Sequence, residues 1–179
     1  MIITRLSTLA CLLGVSIILS STIVLSDESR QRRFFFGGDL GVAYMDITRG
    51  DKNYSDTWLY GALRAEYALC PRLLLGTEGA GWTDQVTASS SIAEDVIAVM
   101  VTARAYPMQN SDAFVKAGWG QARHRYRESS VHSDASGPAY LVALGYDIHP
   151  RASFSISYSS GDLDQETYKA VTVSAGFTF

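Results

Sequence analysis

The segment Val171 to Phe179 alternates without a break. Val171, Val173, Ala175, Phe177 and Phe179 share one face of an extended chain, and Thr172, Ser174, Gly176 and Thr178 share the other. In water such a segment is an exposed apolar edge, ready to pair with another chain. With lipid against the greasy face and a polar interior against the other, it is at rest, provided that the sheet closes and its edge meets a strand from elsewhere in the chain. A closed transmembrane sheet is therefore what the rest of the sequence has to supply.

Seven further stretches read the same way. Strands are expected at Phe35–Thr48, Thr57–Leu69, Leu73–Trp82, Ile92–Tyr106, Ala113–His124, Ala139–Tyr146 and Arg151–Ser159, with Tyr168–Phe179 completing eight. In the first, Gly38, Leu40, Val42 and Tyr44 oppose Gly37, Asp39, Gly41 and Ala43. In the second, Leu59, Leu63, Ala65, Tyr67 and Leu69 oppose Tyr60, Ala62, Arg64, Glu66 and Ala68, and in the fourth Ile97, Val99, Val101 and Ala103 carry the apolar face. Each is close to the roughly 9–11 residues that a tilted transmembrane strand needs.

The connections after the second, fourth and sixth strands are short ("CPR", "PMQNSD", "DIHPR"), whereas the others are mostly longer and polar. Short turns on one rim and long loops on the other predict an all-β fold, an eight-stranded antiparallel up-and-down transmembrane β-barrel with both termini at the short-turn rim. Two aromatic girdles are expected. Phe34 to Phe36, Tyr67, Tyr106, Phe114, Tyr146, Phe154, Phe177 and Phe179 mark the short-turn rim; Tyr44, Trp58, Tyr60, Trp82, Tyr126, Tyr140, Tyr158 and Tyr168 mark the loop rim. A soluble lipocalin-like barrel, apolar inside, would carry many Lys, Glu and Asp along its outer face. Charged residues make up only 18% of this chain, below the roughly 25% of soluble domains.

The first residues read as an export signal. Arg5 precedes an apolar run that ends at Ser26, and Val24 and Ser26 give small residues at the spacing for cleavage before Asp27. An uncleaved helix is the alternative, since roughly 20 apolar residues can span a bilayer. The expected organisation is a signal peptide over residues 1–26, a short periplasmic linker over 27–33 and the barrel over 34–179. Removal of Cys11 leaves Cys70 without an internal disulfide partner. The net charge of −3 argues against nucleic acid as a partner.

Strand charges fall on one face. Asp39, Arg64, Glu66, Glu78, Arg104 and Lys116 all lie opposite the aliphatic residues, three acidic and three basic. Eight strands enclose an interior just wide enough for side chains to fill, so these six are expected to form a lumenal ion-pair network. A narrow conducting path is the alternative.

The stretch "YLVALGYDIHPRASFSISYSSGD" and the closing "VTVSAGFTF" resemble the last hairpin and closing strand of the small OmpA/OmpX-like outer-membrane β-barrel superfamily, and the resemblance covers roughly Phe34 to Phe179. It implies residence in the outer membrane of a Gram-negative bacterium, contact with its lipid and lipopolysaccharide, and reading of Phe177 and Phe179 by the barrel-assembly machinery. No globular wall-binding domain follows Phe179, so the wall-anchoring role of longer relatives is not implied.

The chemistry-bearing residues gather in "RHRYRESSVHSDASG". Arg123, Arg125 and Arg127 share a face in strand geometry, and guanidinium groups bind phosphate bidentately, which makes them candidate contacts for lipopolysaccharide or a host glycan. His124 and His132, with Ser133 and Asp134 beside the latter, could belong to a lipid A acyltransferase or deacylase, but contiguous His-Ser-Asp in a loop is poor geometry for a triad. His149 reads as a turn residue, and Arg49-Gly50-Asp51 as a turn rather than an integrin motif. No catalytic residue, metal or cofactor is expected. The expected role is structural or one of surface interaction, adhesin-like, with a small-solute channel and a lipid A-modifying enzyme as alternatives.

Overall fold

The computed structural model describes residues 34–84, 92–108, 111–128, 131–164 and 166–179. The expected signal peptide and linker lie outside them. Eight strands follow one another: β1 (Phe34–Arg49), β2 (Lys52–Cys70), β3 (Leu73–Thr83), β4 (Ile92–Ala105), β5 (Ala113–Glu128), β6 (Val131–His149), β7 (Ala152–Leu163) and β8 (Glu166–Thr178). Each pairs antiparallel with the next, and β1 pairs with β8 to close an up-and-down barrel. The closing seam runs from Gly37 opposite Thr178 to Arg49 opposite Glu166, and the Phe179 amide donates to the Phe36 carbonyl at 2.7 Å. The terminal alternating segment thus has no free edge, which removes its liability to pair with other chains.

The apolar face points outward. Leu40, Val42, Leu63, Val99, Val101, Val142, Leu144 and Val173 are all exposed, an arrangement at home in hydrocarbon. Toward the loop rim this band ends at Tyr44, Leu59, Ile97, Trp119, Tyr140, Tyr158 and Val171. The next outward positions are polar: Asp46, Thr57, Asp95, Gln121, Ser160 and Lys169.

The expected long loops are largely strand. Arg49 pairs with Lys52 across Gly50-Asp51, Glu128 with Val131 and Leu163 with Glu166. Gly50 takes a positive φ of 59°, which a tight hairpin turn requires and glycine supplies without strain. The alternation of hydrophobicity stops where lipid stops, but backbone pairing carries on into water. Strand ends drawn from hydropathy therefore fall short on this rim.

The aromatic girdles need a larger correction. Tyr44, Tyr140 and Tyr158 face outward, joined by Trp119, but Trp58, Tyr60, Trp82 and Tyr168 are buried inside the barrel, and so is Phe114 at the other rim. Height along a strand does not fix which face a ring is on; parity does. Trp58 and Tyr60 share the parity of Arg64 and Glu66, and Trp82 that of Glu78.

Candidate functional site

Three tiers fill the lumen. The lowest, nearest the short turns, is ionic. Arg64 on β2 donates to both carboxylate oxygens of Asp39 on β1 at 2.5 Å and to Thr178 Oγ1 at 3.0 Å. Glu66 lies between Arg64 (3.4 Å) and Arg104 (3.2 Å), and Lys116 Nζ donates to Glu78 Oε2 at 2.6 Å. The six charged side chains singled out for the lumen are all buried; Asp39, Arg64, Glu66 and Arg104 form one chain of ion pairs, and Lys116 with Glu78 a second, separate pair. Ser153, Ser155, Ser157, Ser159, Thr172 and Ser174 cover the β7–β8 side of the lumen, with Ser155 and Ser174 hydroxyls 3.0 Å apart. Small residues on that wall leave room for the long charged side chains of β2, β4 and β5.

Above the ions the same faces turn apolar. Met45 and Ile47 on β1, Trp58 and Tyr60 on β2, Trp82 on β3, Val96 and Met100 on β4, Leu141 on β6, Leu163 on β7 and Tyr168 on β8 form one buried cluster. Trp82 is its centre: its ring lies 5.4 Å from that of Tyr60 and 6.0 Å from that of Tyr168, and its Nε1 donates to Thr172 Oγ1 at 3.3 Å. Tyr168 is three strands from Trp82 around the closed sheet, so this contact crosses the lumen. Glycines make space for the rings. A β-carbon on Gly161 would come within 2.2 Å of the Tyr168 ring, and one on Gly145 equally close to Phe114.

The top tier was not foreseen. His124 on β5, only 2% exposed, places Nδ1 2.6 Å from Glu166 Oε2 on β8. The other Glu166 oxygen accepts from Arg49 Nε at 2.5 Å. Arg49 also lies 4.0 Å from Glu94 on β4 and 4.5 Å above the Tyr126 ring on β5. These contacts tie four strands across the mouth. Burial alone would raise the Glu166 carboxyl, but the hydrogen bonds from His124 and Arg49 outweigh it and hold the group below its ordinary range. Burial raises Glu94 despite His124 and Arg49 nearby. Arg49, His124 and Glu166 share the lumenal parity of the tiers below; reading His124 as the edge of a solvated loop concealed this. Arg49 turns inward, so the Arg-Gly-Asp turn does not display its guanidinium.

On the outer rim, Arg123 makes two hydrogen bonds to Asp134, at 2.9 and 2.5 Å, and Arg125 Nε lies 3.9 Å from the same carboxylate. Both arginines and Asp134 are about half exposed. The Arg123 hydrogen bonds hold the Asp134 carboxyl below its ordinary value. A basic patch opposed only by Glu128 is therefore not what the structure builds, because the strand pairing of β5 with β6 sets Asp134 beside Arg125. The Arg127 and His132 side chains lie outside the described residues; their backbones pair with each other. Phe177 and Phe179 face outward, about half exposed, and His149, read as a turn residue, is the last residue of β6, where its Nδ1 accepts from the Arg151 amide at 3.4 Å. Among the described residues, no group of His, Cys, Asp and Glu is placed to hold a metal ion.

No protein-family model matches the sequence, and no curated protein matches it. Solved structures do. The attachment invasion locus protein Ail of Yersinia pestis, in complex with the heparin analogue sucrose octasulfate, is 14% identical with a TM-score of 0.59, over 83% of this chain and 100% of that one. Ail without that ligand gives 18% and 0.60 over the same shares. Neisserial surface protein A is 12% identical with a TM-score of 0.59, over 83% and 98%. At these identities the likeness is one of fold, and the fold is that of the small OmpA/OmpX-like outer-membrane β-barrels.

Proposed function

We propose that the chain is an outer-membrane protein of a Gram-negative cell, exported with loss of residues 1–26, whose lumen is shut and whose work is done at its surface. The apolar tier carries this reading. A conducting path would have to pass the packed Trp82, Tyr60, Tyr168 and Met45 side chains, all at most 5% exposed, and ions passing them would forfeit hydration with nothing in exchange. An enzyme is disfavoured as well. Among the described residues, no serine or cysteine is hydrogen-bonded to His124, whose partner is Glu166.

The surface chemistry we assign to Arg123, Arg125 and Arg127, as contacts for lipopolysaccharide phosphate or a sulfated host glycan. The sulfated ligand bound by Ail supports a polyanion as partner for a barrel of this shape. Asp134 competes for Arg123, so a polyanion has to displace it. Replacing all three arginines with Gln should weaken binding of sucrose octasulfate, with a loss that shrinks as salt rises. Asp134→Asn should strengthen binding, and His132→Ala should leave it intact. Titration calorimetry reads all three, and unchanged binding by the triple variant would refute the assignment.

A further inference from the structure

The four side chains of the mouth come one from each of β1, β8, β5 and β4, and they fall one link short of a closed circuit. Arg49 meets Glu166 at 2.5 Å and Glu94 at 4.0 Å, and His124 Nδ1 meets Glu166 at 2.6 Å. The link from His124 to Glu94 is missing. His124 Nε2 is buried with no hydrogen-bond partner among the described residues, a state that buried polar atoms rarely keep. Strand register sets a partner beside it. Val96 lies opposite His124 and Glu94 opposite Tyr126, so Glu94 is the diagonal neighbour of His124 on the lumenal face, roughly 7–8 Å away and within reach of a long side chain.

Charge and tautomer say what the link lacks. Arg49 and His124 hold Glu166 as a carboxylate, which can only accept, so the hydrogen between His124 and Glu166 is on Nδ1 and a neutral imidazole leaves Nε2 a bare acceptor. A Glu94 carboxylate is an acceptor too. Two acceptors cannot bond until a proton comes between them. One guanidinium also faces two carboxylates here, so the cluster is one positive charge short.

We propose that the mouth is an acid-tightened clasp, in which a proton from the medium, taken up on His124 Nε2 and donated to Glu94, completes the circuit and locks β4 to β5 and β8. Loss of that proton opens the link and lets the outer end of β4 fray. The other charged groups around it do not replace the link. Asp84, just past β3, donates its backbone amide to the Glu94 carbonyl at 3.3 Å, and its like charge beside Glu94 favours the added proton. Tyr126 on β5 lies under Arg49. Lys52 and Asp56 on β2 share the lumenal parity but are exposed, and β6 and β7 bring only Ala135 and Leu163 to the lumen at this level. Asp134 on β6 senses the His124 charge from the outer face, where Arg123 holds it. Because the link exists only in the closed mouth, the closed mouth binds the proton more tightly than the open one. Its contribution is therefore present at low pH and lost as pH rises.

The test uses the mature chain folded in detergent micelles, with His132→Ala and His149→Ala so that His124 is its one histidine. Nitrogen shifts of the imidazole and amide protection factors from Glu94 to Val96, taken relative to the intrinsic exchange rate, are read at about pH 5.5 and about pH 8.5, which bracket imidazole titration. The imidazole should carry both hydrogens at the lower pH and only the Nδ1 hydrogen at the higher. Protection should be about tenfold greater at the lower pH, the worth of one charge-assisted hydrogen bond. Glu94→Gln should abolish that step, and so should His124→Gln. Glu94 is only half-buried, so its variant should fold, as heat-modifiable gel mobility will show. Asp134→Asn should leave the step in place. An imidazole that keeps one tautomer throughout, with protection independent of pH, would overturn the proposal. So would a step that survives Glu94→Gln, or one that is lost in Asp134→Asn.

Discussion

Replacing Trp82 with Ala removes the side chain on which the proposed closure of the lumen turns. Trp82 is 1% exposed, touches two rings at 5.4 and 6.0 Å, and donates one neutral hydrogen bond of 3.3 Å to Thr172. Truncating a fully buried tryptophan costs about 3–5 kcal/mol, a figure that already contains the two ring contacts at about 0.5–1.5 kcal/mol each and the hydrogen bond at about 1 kcal/mol. The barrel should still close, because every strand keeps its neighbours. The space vacated is large against the roughly 30 Å³ that a water occupies in the liquid, and the Thr172 hydroxyl that loses its donor borders it, so it should fill with water. Urea titration of the folded barrel should show the loss of stability. In planar bilayers wild type should be silent and Trp82→Ala should conduct, more so when combined with Tyr60→Ala. The reasoning fails if wild type conducts and the truncations leave its conductance unchanged.

Three further outcomes follow from the other tiers. Lys116→Met should cost about 3–5 kcal/mol by leaving Glu78 buried without its cation, and the double variant Lys116→Met with Glu78→Gln should recover most of that in the same titration. Glu166, whose folded pKa is lowered, contributes stability that is present above its ordinary value of 4.5 and is lost as pH falls through the folded value. Glu94, raised by burial, contributes in the opposite sense, favouring the folded mouth at low pH and losing that contribution as pH rises through its folded value. With Glu94→Gln removing the opposing contribution, amide protection factors at Leu163 and Tyr168, taken relative to the intrinsic exchange rate at each pH, should fall on acidification below about pH 4.5, and adding Glu166→Gln should flatten that response. Deleting Phe179 should impair insertion into the outer membrane if Phe177 and Phe179 form the assembly signal, with surface-accessible barrel per cell as the measurement.

The barrel was legible because two independent constraints agree on it. Every strand keeps period two over the length that hydrocarbon demands, so Leu40, Val42, Leu63, Val99 and Val173 could be placed outward, and Asp39, Arg64, Glu66 and Glu78 inward, from parity alone. Pairing partners inside the lumen were a different matter. Parity says that Arg64 and Glu78 share an enclosure, but which carboxylate each cation meets depends on the stagger between strands, and stagger leaves no trace in any single segment. The arrangement of Lys116 with Glu78, two strands away, and Arg104 with Glu66 is a product of closure.

The mouth was hidden for a related reason. Beyond the lipid boundary the outward face no longer needs apolar side chains, so the contrast between faces fades and a strand reads as a loop, as it did for "RHRYRE". Yet inward positions there remain as enclosed as those below, and His124 is as buried as Trp58. Extending the inward parity of β5 two positions past Gly120 reaches Ala122, and two more reach His124; the same extension on β1 passes from Ile47 to Arg49, and on β8 from Tyr168 to Glu166. Three strands thus each carry, high in their lumenal row, a side chain that can pair with the others. The proposed shut lumen rests on an apolar tier with ion pairs below it and at the mouth above it. On the outward rim, Arg123 and Arg125 share one carboxylate, which is where the proposed partner contact has to compete.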